Sequence, residues 1–173
     1  IGVRARHGCL SRGGGCVLSL GSGCAPPRTG KSLVDSGAAD IVFNIGGGLH
    51  HAMASRASGF CYVNDPVLAI LSLVRKGRRV AYIDIDAHHG DGVQEAFYTT
   101  DKVLTISLHE TGDALFPGTG SEQETGQGDG KGYSVNLPLP PESDDELFLH
   151  AFNETVPLLI EAFKPDIIVT QLG

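Results

Sequence analysis

Asp84, Asp86 and His88 occupy alternate positions at the end of an apolar run, and they have clear potential for chemistry. Along an extended chain, side chains two residues apart project to the same side. Ionisable groups on one side of a buried strand are costly unless another charge compensates them. Carboxylate oxygen and imidazole nitrogen are ligands that Zn²⁺ and other first-row divalent ions accept. The spacing therefore predicts that the three side chains share one divalent ion, and a half-exposed strand with a solvated face is the alternative.

Two adjacent histidines, His50 and His51, follow a strand-like run and three glycines. Glycine lets the backbone turn sharply and approach a ligand closely. Vicinal histidines are as often surface or packing residues as functional ones. However, Asp84 and Asp91 of the neighbouring motif supply carboxylates that could accept the Nδ1 proton of each imidazole, which would fix its tautomer and raise its basicity. Two such pairs beside a metal can activate a water and protonate a leaving amine.

Phe60 and Phe116 each lie in a glycine-bearing loop, in Ser-Gly-Phe-Cys-Tyr at 58–62 and Leu-Phe-Pro-Gly-Thr-Gly at 115–120. Isolated phenylalanines are more often core residues than ligand contacts. Both loops should nevertheless open on the same face as the metal motif. Two phenylalanines there would form a narrow apolar slot for an alkyl chain.

The elements that must position these residues alternate along the chain. Apolar runs rich in β-branched residues predict buried strands at 41–45, 80–86, 103–108, 133–137 and 166–170. Apolar residues at helical spacing predict a helix that starts after Asn64-Asp65 and stops at Gly77, and others at 92–98 and 147–163. This alternation indicates a three-layer α/β fold with a mainly parallel sheet covered by helices on both faces, and its chemistry should gather at the carboxyl ends of the strands. Residues 1–36 show neither period and are expected to form a loop segment.

Length and composition limit the possible partners and the cellular compartment. The chain of 173 residues is long enough for one domain, and its formal charge of -7 argues against a nucleic-acid partner. No apolar run approaches the ~20 residues of a membrane helix, so no membrane partner is expected. The four cysteines form no CxxC pair, which favours a reducing cytoplasm.

Six motifs, in order, resemble the histone deacetylase superfamily. They are Gly-Gly-Leu-His-His-Ala at 47–52, Ala-Ser-Gly-Phe-Cys-Tyr-Val-Asn-Asp at 57–65, Ile-Asp-Ile-Asp-Ala-His-His-Gly-Asp-Gly at 83–92, Ser-Leu-His-Glu at 107–110, Phe-Pro-Gly-Thr-Gly at 116–120 and Gly-Tyr-Ser-Val-Asn-Leu-Pro at 132–138. The bacterial acetoin-utilisation deacetylases, close to class I histone deacetylases, look most similar. The resemblance implies the arginase–deacetylase fold and zinc-dependent hydrolysis of an acetylated lysine side chain or a small acetyl-amide, with release of acetate.

The resemblance also assigns roles to residues. Asp86 and His88 match two of three zinc ligands, while His50 and His51 match the general acid/base pair, supported by Asp84 and Asp91 respectively. The tunnel for the acyl-lysine is matched by its walls Phe60 and Phe116 and by the backbone carbonyl of Gly59. One or two structural potassium ions are implied, an inner one held by Asp84, Asp86, His88, Ser107 and Leu108, and an outer one held by Phe97, Thr100, Val103 and Tyr133.

The resemblance covers residues 38–173, and two departures limit it. The family's third zinc ligand is an Asp shortly after the Gln-Leu-Gly at 171–173, beyond Gly173, and its transition-state Tyr lies further on. We therefore expect the chain to be one truncated deacetylase domain, inactive by itself. Residues 1–36 do not align with the family, and either a divergent insert or a reading-frame error in the nucleotide sequence would account for them.

Two other functions are compatible with the sequence. A catalytically inactive acyl-lysine binder would keep the fold and the tunnel. An arginase-like binuclear manganese hydrolase would need further acidic and histidine ligands, and the Gly-Phe-Cys-Tyr motif at 59–62 speaks against it.

Overall fold

The structure is a computed structural model, and it describes the backbone of residues 16–20, then Val34, and residues 38–173. Within these residues six strands form one sheet, in the spatial order β2-β1-β6-β3-β4-β5. Every neighbouring pair is parallel, which confirms the predicted α/β class. The strands are β1 (Cys16–Leu20), β2 (Ile41–Asn44), β3 (Val80–Asp84), β4 (Val103–Glu110), β5 (Ser134–Leu139) and β6 (Ile167–Gln171).

Three α-helices in the described residues connect the strands: α1 (Asp65–Val74), α2 (Asp91–Phe97) and α3 (Asp145–Phe163). α1 begins where the sequence predicts, because the side chain of Asn64 accepts a hydrogen bond from the Val67 amide at 3.0 Å. No described helix has the length and apolar character needed to cross a membrane.

The core divides into two layers on opposite faces of the sheet, as side chains alternate along β3. Tyr82 packs with Ile70 of α1 and Val93 of α2 on one face. Ile83 packs with Val156 of α3 on the other. The strands in the middle are therefore buried on both faces, and the three-layer architecture predicted from their continuous apolar character is confirmed.

Two sequence-based expectations about the amino-terminal part are wrong. Residues 1–36 were expected to form a loop segment, yet β1 (Cys16–Leu20) lies within them, between β2 and β6. The run at 41–45 does form a strand, but its side chains are not buried, since Ile41 is 63% and Phe43 62% exposed. In the described structure β2 is the last strand at its edge of the sheet, and a short apolar run does not distinguish an edge strand from a central one.

Candidate functional site

The candidate site lies at the carboxyl ends of β3, β4 and β6, where parallel strands were expected to gather the chemistry. Asp84, the last residue of β3, pairs in register with Ser107 of β4 and with Gln171 of β6. The loop that follows β2 brings His50 and His51 over this edge, and both histidines are buried.

His50 and Asp84 form the first Asp–His pair. Nδ1 of His50 lies 2.7 Å from Oδ2 of Asp84, and the Tyr82 hydroxyl donates to the same oxygen at 2.6 Å. The Asp86 amide donates to the other oxygen, Oδ1, at 3.1 Å. Because an ionised carboxylate only accepts hydrogen bonds, the proton of this bond lies on Nδ1, and Nε2 of the neutral ring keeps its lone pair.

His51 and Asp91 form the second pair beside the first. Nδ1 of His51 lies 2.7 Å from Oδ1 of Asp91, which also accepts the Gly92 amide at 2.9 Å. Asp91 is the first residue of α2, a favourable place for a negative charge. The two histidine rings are 4.0 Å apart between centroids, so both pairs can act on one bound molecule.

The acidic surroundings favour the charged form of His50. Burial lowers the pKa of His50, but the charge and hydrogen bond of Asp84, assisted by Asp86 and Asp91, outweigh burial and leave the pKa raised. Burial, followed by the charge of Asp84, raises the pKa of Tyr82 well above its usual value, so Tyr82 stays a hydrogen-bond donor.

Asp86 and His88 form a separate pair at the open side of the site. Oδ1 of Asp86 lies 2.9 Å from Nδ1 of His88 and 3.9 Å from Nε2 of His50. Burial raises the pKa of Asp86, but the His88 amide and the charges of His50 and His88 outweigh it and leave the pKa lowered. One carboxylate oxygen and one imidazole nitrogen that face each other fit part of a zinc ligand set, which takes such donors at about 2.0–2.2 Å.

The prediction that Asp84, Asp86 and His88 share one divalent ion stays a prediction. Among the described residues, no group of three or more His, Cys, Asp or Glu side chains is arranged to hold a metal ion. His50 and Tyr82 both bond to Oδ2 of the buried Asp84, so this carboxylate oxygen has hydrogen-bond partners within the protein.

A cleft of about 670 Å³ leads to these pairs, and the predicted substrate residues Gly59, Phe60 and Phe116 line it together with His51 and His88. The ring of Phe116 lies 5.0 Å from that of His51, whereas Phe60 is 99% exposed at the rim. Gly59 has φ +51°, and a Cβ there would collide with the ring of His51, so the backbone can approach the histidine this closely only at glycine.

The residues proposed for potassium lie at two places. Asp84 and Ser107 are neighbours in the β3–β4 register, and Leu108 is buried next to them. Phe97 ends α2, the Thr100 amide donates to the Phe97 carbonyl at 3.3 Å, Val103 begins β4, and Tyr133 directly precedes β5. Potassium at either place stays a prediction.

Three supporting residues were missed from the sequence. Asp65 accepts the amides of Gly48 and Leu49 at 3.0 and 2.9 Å, and Gln171 donates to the Gly48 carbonyl at 2.6 Å. These bonds hold the loop that carries the two histidines. The third is Tyr82, whose position two residues before Asp84 was the available signal, because it places both side chains on one face of β3.

Comparisons with known proteins agree with this geometry. A family profile described as "Histone deacetylase domain" matches residues 21–173, so the match begins within the segment that was expected not to align. The chain is 55% identical to histone deacetylase 6 of Arabidopsis thaliana over 135 residues and 50% identical to human histone deacetylase 1 over 158 residues. These alignments cover 78% and 91% of the chain but 28% and 32% of the relatives, so the chain spans about a third of their length.

The crystal structure of an HDAC homologue from Aquifex aeolicus superposes with a TM-score of 0.79 at 44% identity. The superposition covers 86% of this chain and 41% of the homologue. The curated relatives named above are eukaryotic, so the expected likeness to bacterial acetoin-utilisation deacetylases stays a prediction. The matched profile, the relatives and the shared fold establish that this chain belongs to the histone deacetylase family.

Proposed function

We propose that the full-length protein hydrolyses N-acetyl amides, with an acetylated lysine side chain or a small acetyl-amide as substrate. The observation that carries the proposal is the pair of adjacent histidines, each bonded at 2.7 Å to its own buried carboxylate, at the end of a cleft with phenylalanine walls. Such pairs suit proton transfer, and the apolar walls suit the alkyl stem of a lysine.

The proton carriers follow from the hydrogen bonds. Nδ1 of His51 donates to Asp91, so Nε2 is free to accept a proton from the attacking water. Asp91 then stabilises the positive ring. The bond of His50 to the Asp84 carboxylate stabilises a positive charge on the ring, so His50 is suited to stabilise negative charge and to supply a proton to the leaving amine.

Asp86 and His88 would contribute two of the ligands of a catalytic zinc ion. A zinc ion there would polarise the acetyl carbonyl and favour deprotonation of the attacking water. Carboxylate oxygen and neutral imidazole nitrogen are both donors that zinc accepts. Structural potassium at the two places described above belongs to the same proposal.

The His51→Ala substitution in the full-length protein tests the proposal. Acetate release from an acetyl-lysine peptide and from a monoacetylated polyamine should fall by about 10²- to 10⁴-fold, the usual worth of a general base. Zinc content should be unchanged, because His51 bonds to Asp91 and not to Asp86 or His88. The matched control is His150→Ala, an exposed histidine on α3, which should retain full activity.

Retained activity of His51→Ala would remove His51 from the mechanism. A wild-type protein that binds the acetyl-lysine peptide but releases no acetate would instead support the inactive binder. Removal of the metal with a chelator should abolish activity, and Zn²⁺ should restore it.

A further inference from the structure

Phe116 stands between two clefts. It lines the cleft of about 670 Å³ that contains His51, and also a second cleft of about 420 Å³ whose lining includes Gln94, Thr119 and Glu124. Its side chain is 48% exposed. Because open space lies on both sides of the ring, its position depends on how the loop that carries it is held.

Two side chains hold the segment that follows Phe116. Glu124 accepts the amides of Gly120 and Ser121 through Oε1, at 2.9 and 3.0 Å. Nδ1 of the buried His89 lies 2.8 Å from Oγ1 of Thr119. Both anchors act within five residues of Phe116, so their positions are transmitted to the ring through a short stretch of backbone.

The side-chain amide of Gln94 joins these two anchors. Its Nε2 donates to Oε2 of Glu124 at 2.6 Å, which fixes the orientation of the amide, because a carboxylate only accepts. Oε1 of Gln94 therefore points away from Glu124, and it lies 3.2 Å from Nε2 of His89. The same oxygen accepts hydrogen bonds from Ser134 at 2.8 Å and from Asn136 at 2.7 Å, both on β5.

Gln94 lies three residues after Asp91 on α2, about one helical turn from the carboxylate that supports His51. We propose that Gln94 is a positioning residue, which ties the Phe116 loop to the helix that carries Asp91 and so sets the width of the cleft at the histidines. The predicted effect of Gln94 on catalysis rests on the proposed function. The link between Gln94 and the Phe116 loop can be measured whether or not the protein is a deacetylase.

The Gln94→Leu substitution in the full-length protein tests the role. Leucine keeps a high helix propensity and removes all four hydrogen bonds of the amide. We expect the amides of Gly120 and Ser121 to exchange with solvent about tenfold faster, as for a weakened charge-assisted bond. KM for an acetyl-lysine peptide should rise about tenfold while kcat stays within about threefold, since both Asp–His pairs are untouched.

Two further variants make the test decisive. Ser134→Ala is the matched control, because it removes one bond to the same oxygen and leaves Gln94 joined to both anchors. Thr119→Val, at an exposed residue, removes the His89 anchor alone and should give a smaller rise in exchange and KM, even if Gln94→Leu does not fold.

Unchanged exchange and KM in both Gln94→Leu and Thr119→Val would overturn the positioning role. If Ser134→Ala raised exchange and KM as much as Gln94→Leu does, the positioning role would also be overturned. The effects would then come from a disturbed β5 and not from the loss of the link between Gln94 and the Phe116 loop. If the wild-type protein releases no acetate, the proposed function fails, and the exchange measurement alone then decides whether Gln94 holds the loop.

Discussion

Replacing Asp91 with Asn tests how His51 is supported. Oδ1 of Asp91 accepts two hydrogen bonds, from Nδ1 of His51 at 2.7 Å and from the Gly92 amide at 2.9 Å. An asparagine that turned its NH₂ group toward both donors would lose both bonds. We therefore expect the amide oxygen of the variant to keep both contacts and the His51 tautomer to be retained.

The expected loss follows from the charge that the substitution removes. A hydrogen bond to a charged group contributes about 1.5–3 kcal/mol and a neutral one about 0.5–1.5 kcal/mol, so the variant loses about 1–2 kcal/mol of support for the protonated ring. That difference corresponds to about 5- to 30-fold in kcat/KM. Asp91→Ala removes the hydrogen-bond acceptor of His51, so the tautomer of the His51 ring is no longer fixed. The loss of kcat/KM in this variant should approach that of a missing general base, about 10²- to 10⁴-fold.

The assay is acetate release by the full-length protein from an acetyl-lysine peptide, with zinc content measured in parallel. Asp101→Asn is the control, since Asp101 is an exposed residue paired with Lys102 at 3.0 Å and should not affect turnover. A wild-type kcat/KM for Asp91→Asn would refute this role of the Asp91 charge. An equal loss of kcat/KM in Asp91→Asn and Asp91→Ala would also refute it, because the amide oxygen would then not support the ring of His51.

Two predictions concern stability. Ile70→Ala empties a fully buried position of α1 and should lower the free energy of unfolding by about 2–5 kcal/mol in denaturant titrations, whereas Leu68→Ala, 48% exposed on the same helix, should have little effect. Burial raises the pKa of Glu124, but bonds from the Ser121 amide, Gln94 and the Gly120 amide outweigh it and leave the pKa lowered. Its charge therefore stabilises the fold above the ordinary glutamate pKa, and this contribution disappears as pH falls through the lowered value. Glu124→Gln should accordingly be destabilising near pH 7 and approach wild type under acidic conditions, and a constant difference in melting temperature across this range would contradict the assignment.

Much of the fold could be predicted from local pattern. The strands that became β3, β4, β5 and β6 were predicted to within about two residues, because apolar runs bounded by turn residues identify buried strands locally. β1 was missed in a segment with no recognisable period. The edge position of β2 was missed because burial depends on which strand lies beside it, and local pattern carries no such information.

For the site, the sequence by itself determined which residues carry chemistry, since carboxylates and imidazoles at strand ends stand out by type and spacing. Only the tertiary structure decided their partners. The bonds of His50 to Asp84 and of His51 to Asp91 span 34 and 40 residues, and Gln171 reaches Gly48 across 123 residues. Such contacts depend on strand order and register, which arise from packing of the whole sheet. For the same reason only the folded chain shows that Asp84 bonds to His50 and Tyr82, while the side chains of Asp86 and His88 line the cleft.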